Sequence, residues 1–142
     1  MKIGIKTLIE KLQKLSGKKV ILERFSDEEI GHFIDQTITI KGDKITYKGN
    51  LTYKTFEILA NKYSNYTLDV IGNVYIFNRG YKEMPIQFGE VTGDFKCYNN
   101  KLTSLKNFPI EVGGKIDCSG NLKKFSEKDI KKICNVKGEI WN

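Results

Sequence analysis

The sequence predicts a single α/β domain in which N-terminal helices and a hairpin lead into a short repeat-built sheet with helices on its outer side. Three observations predict it. Glycine-centred segments recur as "VIGNVYIFNRGY", "VTGDFKCYNNKL", "VGGKIDCSGNL" and "VKGEIWN", starting at Val70, Val91, Val112 and Val136, with steps of 21, 21 and 24 residues. Upstream, apolar and polar residues alternate on both sides of Gly42 and Asp43, a two-residue link of the kind hairpins use. Between these features lie apolar residues at helical spacing.

Taken in order, "MKIGIKTLIEKLQKL" reads as a helix. Thr7 and Glu10 have the spacing of a capping box, Leu8, Ile9, Leu12 and Leu15 share a face, and Ser16-Gly17 offers a stop. "KVILERF" reads as a strand. Ser26 with Glu29 makes a second capping box, Asp27 and Glu28 suit the helix dipole, and Ile30, Phe33 and Ile34 form a stripe. The hairpin "TITIKGDKITYKGN" follows, and then a helix around residues 51–64 carrying Tyr53, Phe56, Leu59, Ala60 and Tyr63. A last helix, around 126–135, is capped by Ser126 with Asp129. The reading divides the chain into an N-terminal α/β capping part, 1–69, and the repeats, 70–142.

The bounds agree with one globule. The chain has 142 residues, 39% hydrophobic and 29% charged, enough to bury a core without a metal or disulfide staple. No apolar run nears the ~18 residues that span a bilayer, and no signal-peptide core appears, so a cytoplasmic location is expected. Cys97, Cys118 and Cys134 are an odd count with no CxxC pair, against a secreted disulfide framework. The net charge of +7 sits at the ends: residues 1–20 carry +5, residues 123–142 carry +3, and the middle is left at −1.

A fixed period of this length marks a stack in which each unit contributes one strand and cannot bury its apolar face alone. In the second unit Phe95, Cys97, Asn100 and Leu102 trace h-x-h-x-x-N-x-h; Ile116, Cys118 and Asn121 repeat it, with Leu122 one residue early. That pattern resembles the strand segment of leucine-rich repeats, and "CYNNKLTSL" with "CSGNL" is similar to the degenerate form found among uncharacterised bacteriophage proteins. The chain departs from the family at Arg79, where the asparagine belongs, and at Tyr81 and Met84, where leucines are usual. "GDKITYKGNLT" at Gly42 parallels "GDFKCYNNKLT" at Gly93 with its apolar residues offset by one, and reads as a worn first repeat. The resemblance implies a solenoid of rungs ~4.8 Å apart.

Alternation along each strand points Val74, Ile76, Phe95, Cys97, Ile116 and Cys118 inward. The two cysteines are then small core residues. A metal site of Cys97, Cys118, Cys134 and His32 lacks paired-ligand spacing. Asn100 and Asn121 are expected to satisfy turn backbone groups. His32, the one histidine, has no elbow or oxyanion motif near it, the run Asp27–Glu29 is a solvated first turn, and no glycine segment opens a phosphate loop. No enzyme, metal, cofactor or small-molecule substrate is therefore expected.

The outward positions form columns: Asn73, Asp94, Lys115 and Glu139; Tyr75, Lys96, Asp117 and Trp141; Phe77, Tyr98 and Ser119. Aromatics mixed with both charge signs match the profile of protein interfaces. Two functional classes compete. One is a protein-binding module with Tyr75, Phe77, Tyr98 and Trp141 as anchors and Lys96 and Asp117 setting orientation. The bacteriophage resemblance extends this to an inhibitor or modulator of a host protein or defence complex, of the anti-CRISPR type, acting in the host cytoplasm. The other is a nucleic-acid accessory protein using lysine-rich terminal helices, with Lys6, Lys11, Lys14, Lys18 and Lys19 at phosphates. Against the second, such lysines are usually a helix's solvated face, and arginine is limited to Arg24 and Arg79.

Overall fold

In a computed structural model of the chain, the residues described are Ser26, Glu28, Glu29, Ile34, Thr37 and 38–142. The chain divides into two compact units, Met1–Ile38 and Thr39–Asn142. The expected first helix, the "KVILERF" strand, His32, and Lys6, Lys11, Lys14, Lys18 and Lys19 lie outside the described residues. In the first unit the second capping box is present. The Ser26 amide donates to Glu29 Oε1 and the Glu29 amide donates to Ser26 Oγ, both at 3.1 Å, and Glu28, Glu29, Ile34 and Thr37 are helical.

The second unit opens with the predicted hairpin. Strand β1 (Thr39–Lys41) pairs antiparallel with β2 (Lys44–Lys48) about Gly42 and Asp43. The following strands are β3 (Leu51–Thr52), β4 (Thr67–Ile71), β5 (Val74–Tyr75), β6 (Gln87–Val91), β7 (Phe95–Lys96), β8 (Glu111–Val112), β9 (Ile116–Asp117), β10 (Asn135–Val136) and β11 (Ile140–Trp141). They form two sheets, ordered β1-β2-β4-β6-β8-β10 and β11-β9-β7-β5-β3, parallel apart from the hairpin. Each repeat thus supplies two strands meeting at a corner, where the expectation was one. The strand before the glycine was missed because its length varies, from Gln87–Val91 to Glu111–Val112, and because the register between β4 and β6 shifts after Leu68. At that irregularity the Asp69 carboxylate accepts the Glu90 amide at 2.9 Å.

The glycine alignment holds at the corners. The amide of Gly93 donates to Gly72, that of Gly114 to Gly93 and that of Gly138 to Gly114, each at 2.9 Å. The first rung, however, aligns differently from the expectation. Leu51 pairs with Val74 and Tyr47 with Val70, so "KGNLTY" at Lys48 matches "IGNVYI" at Ile71, and the parallel stack begins at Lys44, ahead of the expected start at Val70. The Gly42 segment is the hairpin turn.

Helices occupy the two longer intervals. Helix α1 (Tyr53–Lys62) buries Thr55, Phe56, Leu59 and Ala60, within the predicted 51–64. Helix α2 (Glu127–Ile133) is capped by Ser126, whose hydroxyl accepts the Asp129 amide at 3.0 Å. Acidic Glu127 and Asp129 in its first turn and Lys131 and Lys132 in its last complement the helix dipole.

The core lies between the sheets. Val74, Ile76, Phe95, Cys97 and Ile116 have no solvent exposure, and Cys118 has 2%, as alternation required. Phe56 of α1 stacks on Phe88 at 5.2 Å, Phe88 meets Phe95 edge-on at 5.0 Å, and Phe95 packs on Phe108 at 5.5 Å. This run of rings ties the helix to both sheets. Their geometries are those in which aromatic pairs add to simple area burial.

Candidate functional site: the outward face of the second sheet

The face of β5, β7, β9 and β11 carries the predicted columns, and parallel in-register pairing sets what each residue meets. Tyr75 lies beside Lys96, Lys96 beside Asp117, and Asp117 beside Trp141. One rung apart in the next column, Phe77 and Tyr98 stack at 4.6 Å with planes 6° apart. The Lys96 ammonium sits 5.7 Å from the Tyr75 ring centroid, and that of Lys115 sits 4.5 Å from the Trp141 ring. The Trp141 indole N–H donates to Glu139 Oε2 at 2.9 Å. The result is an aromatic ridge with ammonium groups held against it.

Three expectations about this face change. Of the four aromatics only Trp141, at 49%, is exposed; Tyr75, Phe77 and Tyr98 are half-buried. Phe77 and Tyr98 each cover one ring face of the other. Asp117 is buried, with 8% exposure, because its carboxylate turns back to accept the Ser119 amide at 3.1 Å and the Ser119 hydroxyl at 2.6 Å. It orders the face instead of presenting a free charge. The corner column is also structural in part. Asn50, Asn73 and Asp94 each use a side-chain oxygen to accept the amide of the next rung, at Asn73, Asp94 and Lys115, at 3.0, 2.7 and 2.9 Å.

A second ladder lies where the strands end. Asn100 is buried, and its amide donates to the carbonyls of Ile76 and Cys97 while its oxygen accepts the amides of Arg79 and Tyr81. Asn121 donates to the carbonyls of Cys97 and Cys118 and accepts the Leu102 amide. These asparagines satisfy turn backbone, as expected. Arg79, standing in the asparagine column, instead lays its guanidinium 3.7 Å from the Tyr53 ring centroid. No sequence spacing flags that contact.

Among the described residues no group of three or more His, Cys, Asp or Glu is placed to hold a metal, and every buried side-chain N or O has a hydrogen-bond partner. No helix among them is long and apolar enough to cross a membrane. A shallow depression along α2 is lined by Glu127, Lys128, Lys131 and Lys132, with Glu127 bridging Lys131 at 2.7 Å. The three thiols are free and buried. Burial pushes Cys97 well up, with Cys118 and Asp117 adding to it. It lifts Cys118 to about 11, with Asp117 adding, and Cys134 to about 11, with Glu111 adding.

The neutral thiol is therefore the form the fold favours. Thiolate formation stabilises the unfolded chain first, so this contribution to stability is intact below the ordinary thiol pKa and is lost as pH climbs from about 9 through about 11. Native protein at pH 7.5 should react with an aromatic disulfide reagent far more slowly than denatured protein, and neither reductant nor chelator should shift Tm. Fast stoichiometric labelling, or a drop of many degrees with either agent, would contradict this.

Compared with protein-family models, curated proteins and solved structures, the chain matches none.

Proposed function

We propose that the protein is a non-enzymatic binding module that grips another protein with the outward face of the second sheet. The observation that carries this reading is the stacked pair Phe77–Tyr98, flanked by Tyr75 with Lys96, with exposed Trp141 and Lys115 further along the same sheet. Stacked rings on hydrogen-bonded neighbouring rungs are already ordered, so little side-chain entropy remains to be lost on binding. Aromatic rings, ammonium groups and a hydroxyl on one surface offer both apolar anchoring and polar orientation. The leucine-rich-repeat resemblance supports the same reading, since stacked repeats serve as extended binding surfaces. The narrower form of the proposal is a bacteriophage product acting in the host cytoplasm as inhibitor or modulator of a host protein or defence complex.

Partner capture from a bacterial lysate followed by a salt series separates this reading from nucleic-acid binding. Binding through the face should change little between 50 and 200 mM salt. A phosphate-contacting protein would lose on the order of 10³-fold or more over that range, and that result would shift function to the lysine-rich ends.

A further inference from the structure

We infer that the last rung of the stack, β10 with β11, is a pairing edge for a second copy of this chain, joined about a two-fold axis through the Gly138 corner. This inference does not rest on the proposed function. It starts from the burial of the last rung. In that rung the inward residues Val136 and Ile140 remain half-buried, although their counterparts one rung earlier, Val112 and Ile116, are sealed, and in the second sheet the first rung's Leu51 is sealed as well. The last rung thus leaves core residues part-exposed.

The backbone of that rung is also half used. The amides of Asn135 and Lys137 donate to the preceding rung, to Ile110 and Val112, and the carbonyls of Glu139 and Trp141 accept from Ile116 and Cys118. Alternation along a strand then turns the N–H and C=O of Val136 and of Ile140 off the stack, where no strand among the described residues meets them. A two-fold axis bisecting the corner lays the rung on its own reverse, β10 against β11 of the second copy. Val136 then faces Ile140 of that copy as a doubly hydrogen-bonded antiparallel pair, with both apolar side chains continuing the core. In the same register exposed Lys137 faces exposed Glu139 of the second copy, twice by symmetry. Opposite charges directly across a strand pair favour it, and like charges oppose it. A head-to-tail contact with the β1 edge would not close and would build filaments. The palindrome of charge about Gly138 favours the closed dimer.

Sedimentation of the full chain over a wide concentration range tests this. The expected result is a monomer–dimer equilibrium that stops at two. Lys137→Glu alone and Glu139→Lys alone should each weaken the dimer at least about tenfold, since each places like charges opposite. A mixture of the two single variants should pair again, as should the double exchange Lys137→Glu with Glu139→Lys. Val136→Pro removes an off-stack donor without removing a bond to the preceding rung, and should be monomeric with an unchanged circular dichroism spectrum. Wild-type protein that stays monomeric throughout, assembly beyond two, or a dimer indifferent to both reversals would overturn the inference. Should Val136→Pro unfold, the charge set still decides.

Discussion

Asn100→Ala should be among the most destabilising substitutions in the chain, costing about 3–5 kcal/mol and lowering Tm by roughly 10–20 °C. The side chain is 5% exposed and links rungs through four backbone partners, the amides of Arg79 and Tyr81 and the carbonyls of Ile76 and Cys97. Removing it leaves those groups unsatisfied where water has little access, and each such group costs about 1–3 kcal/mol with partial relaxation. Asn121 is the internal comparison. It makes the analogous bonds but is half-buried, so water can replace it and Asn121→Ala should cost clearly less. Equal losses measured by denaturant unfolding would show that the ladder is not what distinguishes the two positions.

The second large effect is expected at a corner. Gly72 has φ of +149°, and a Cβ there would meet the Gly49 carbonyl, with the Gly49 carbon at 2.6 Å and the Asn50 nitrogen at 3.2 Å. All three are backbone atoms of the neighbouring rung, so no rotamer change relieves the contact. Gly72→Ala therefore combines a disfavoured backbone conformation with forced separation of two rungs, and should cost about 3 kcal/mol or more. Gly42 isolates the first of these terms. Its φ is +62° and nothing lies within 4 Å of an added Cβ, so Gly42→Ala should cost only about 1–2 kcal/mol. A Gly72→Ala protein as stable as Gly42→Ala would mean the corners do not hold the rungs at close approach.

These positions also show how far the fold was legible in the sequence. The glycine register and the inward set could be read because both depend on short-range regularities, the alternation of side chains along a strand and the need for a small residue at each corner. Cys97 and Cys118 fell into the core for that reason. The strands before the corners were not legible. "TLDVI", "QFGEV" and "EV" differ in length, and the Asp69–Glu90 irregularity breaks their spacing. The true first rung was visible as "GN" at Gly49 and Gly72, yet the similarity of "GDKITY" to "GDFKCY" drew the alignment to the hairpin turn.

The site was legible as columns and not as surfaces. A 21-residue step predicts that Phe77 and Tyr98 are neighbours; that they stack at 4.6 Å and so hide their faces follows only from the parallel register. Asp117 was misread for a related reason. Its place on the outward side is a matter of alternation, but its burial comes from Ser119, two residues on, turning its hydroxyl back to the carboxylate.

The central claim is that the ridge on the second sheet, and not the basic ends, is the binding element. The direct measurement is the affinity of two paired variants for the same captured partner. One carries Tyr75→Ala with Tyr98→Ala, the other Lys11→Glu with Lys14→Glu. At about 2 kcal/mol for each anchor, the aromatic pair should weaken binding by roughly 10²–10³-fold, while the lysine pair stays within a few-fold of the parent. Abolished binding in the lysine pair with the aromatic pair untouched would contradict the account.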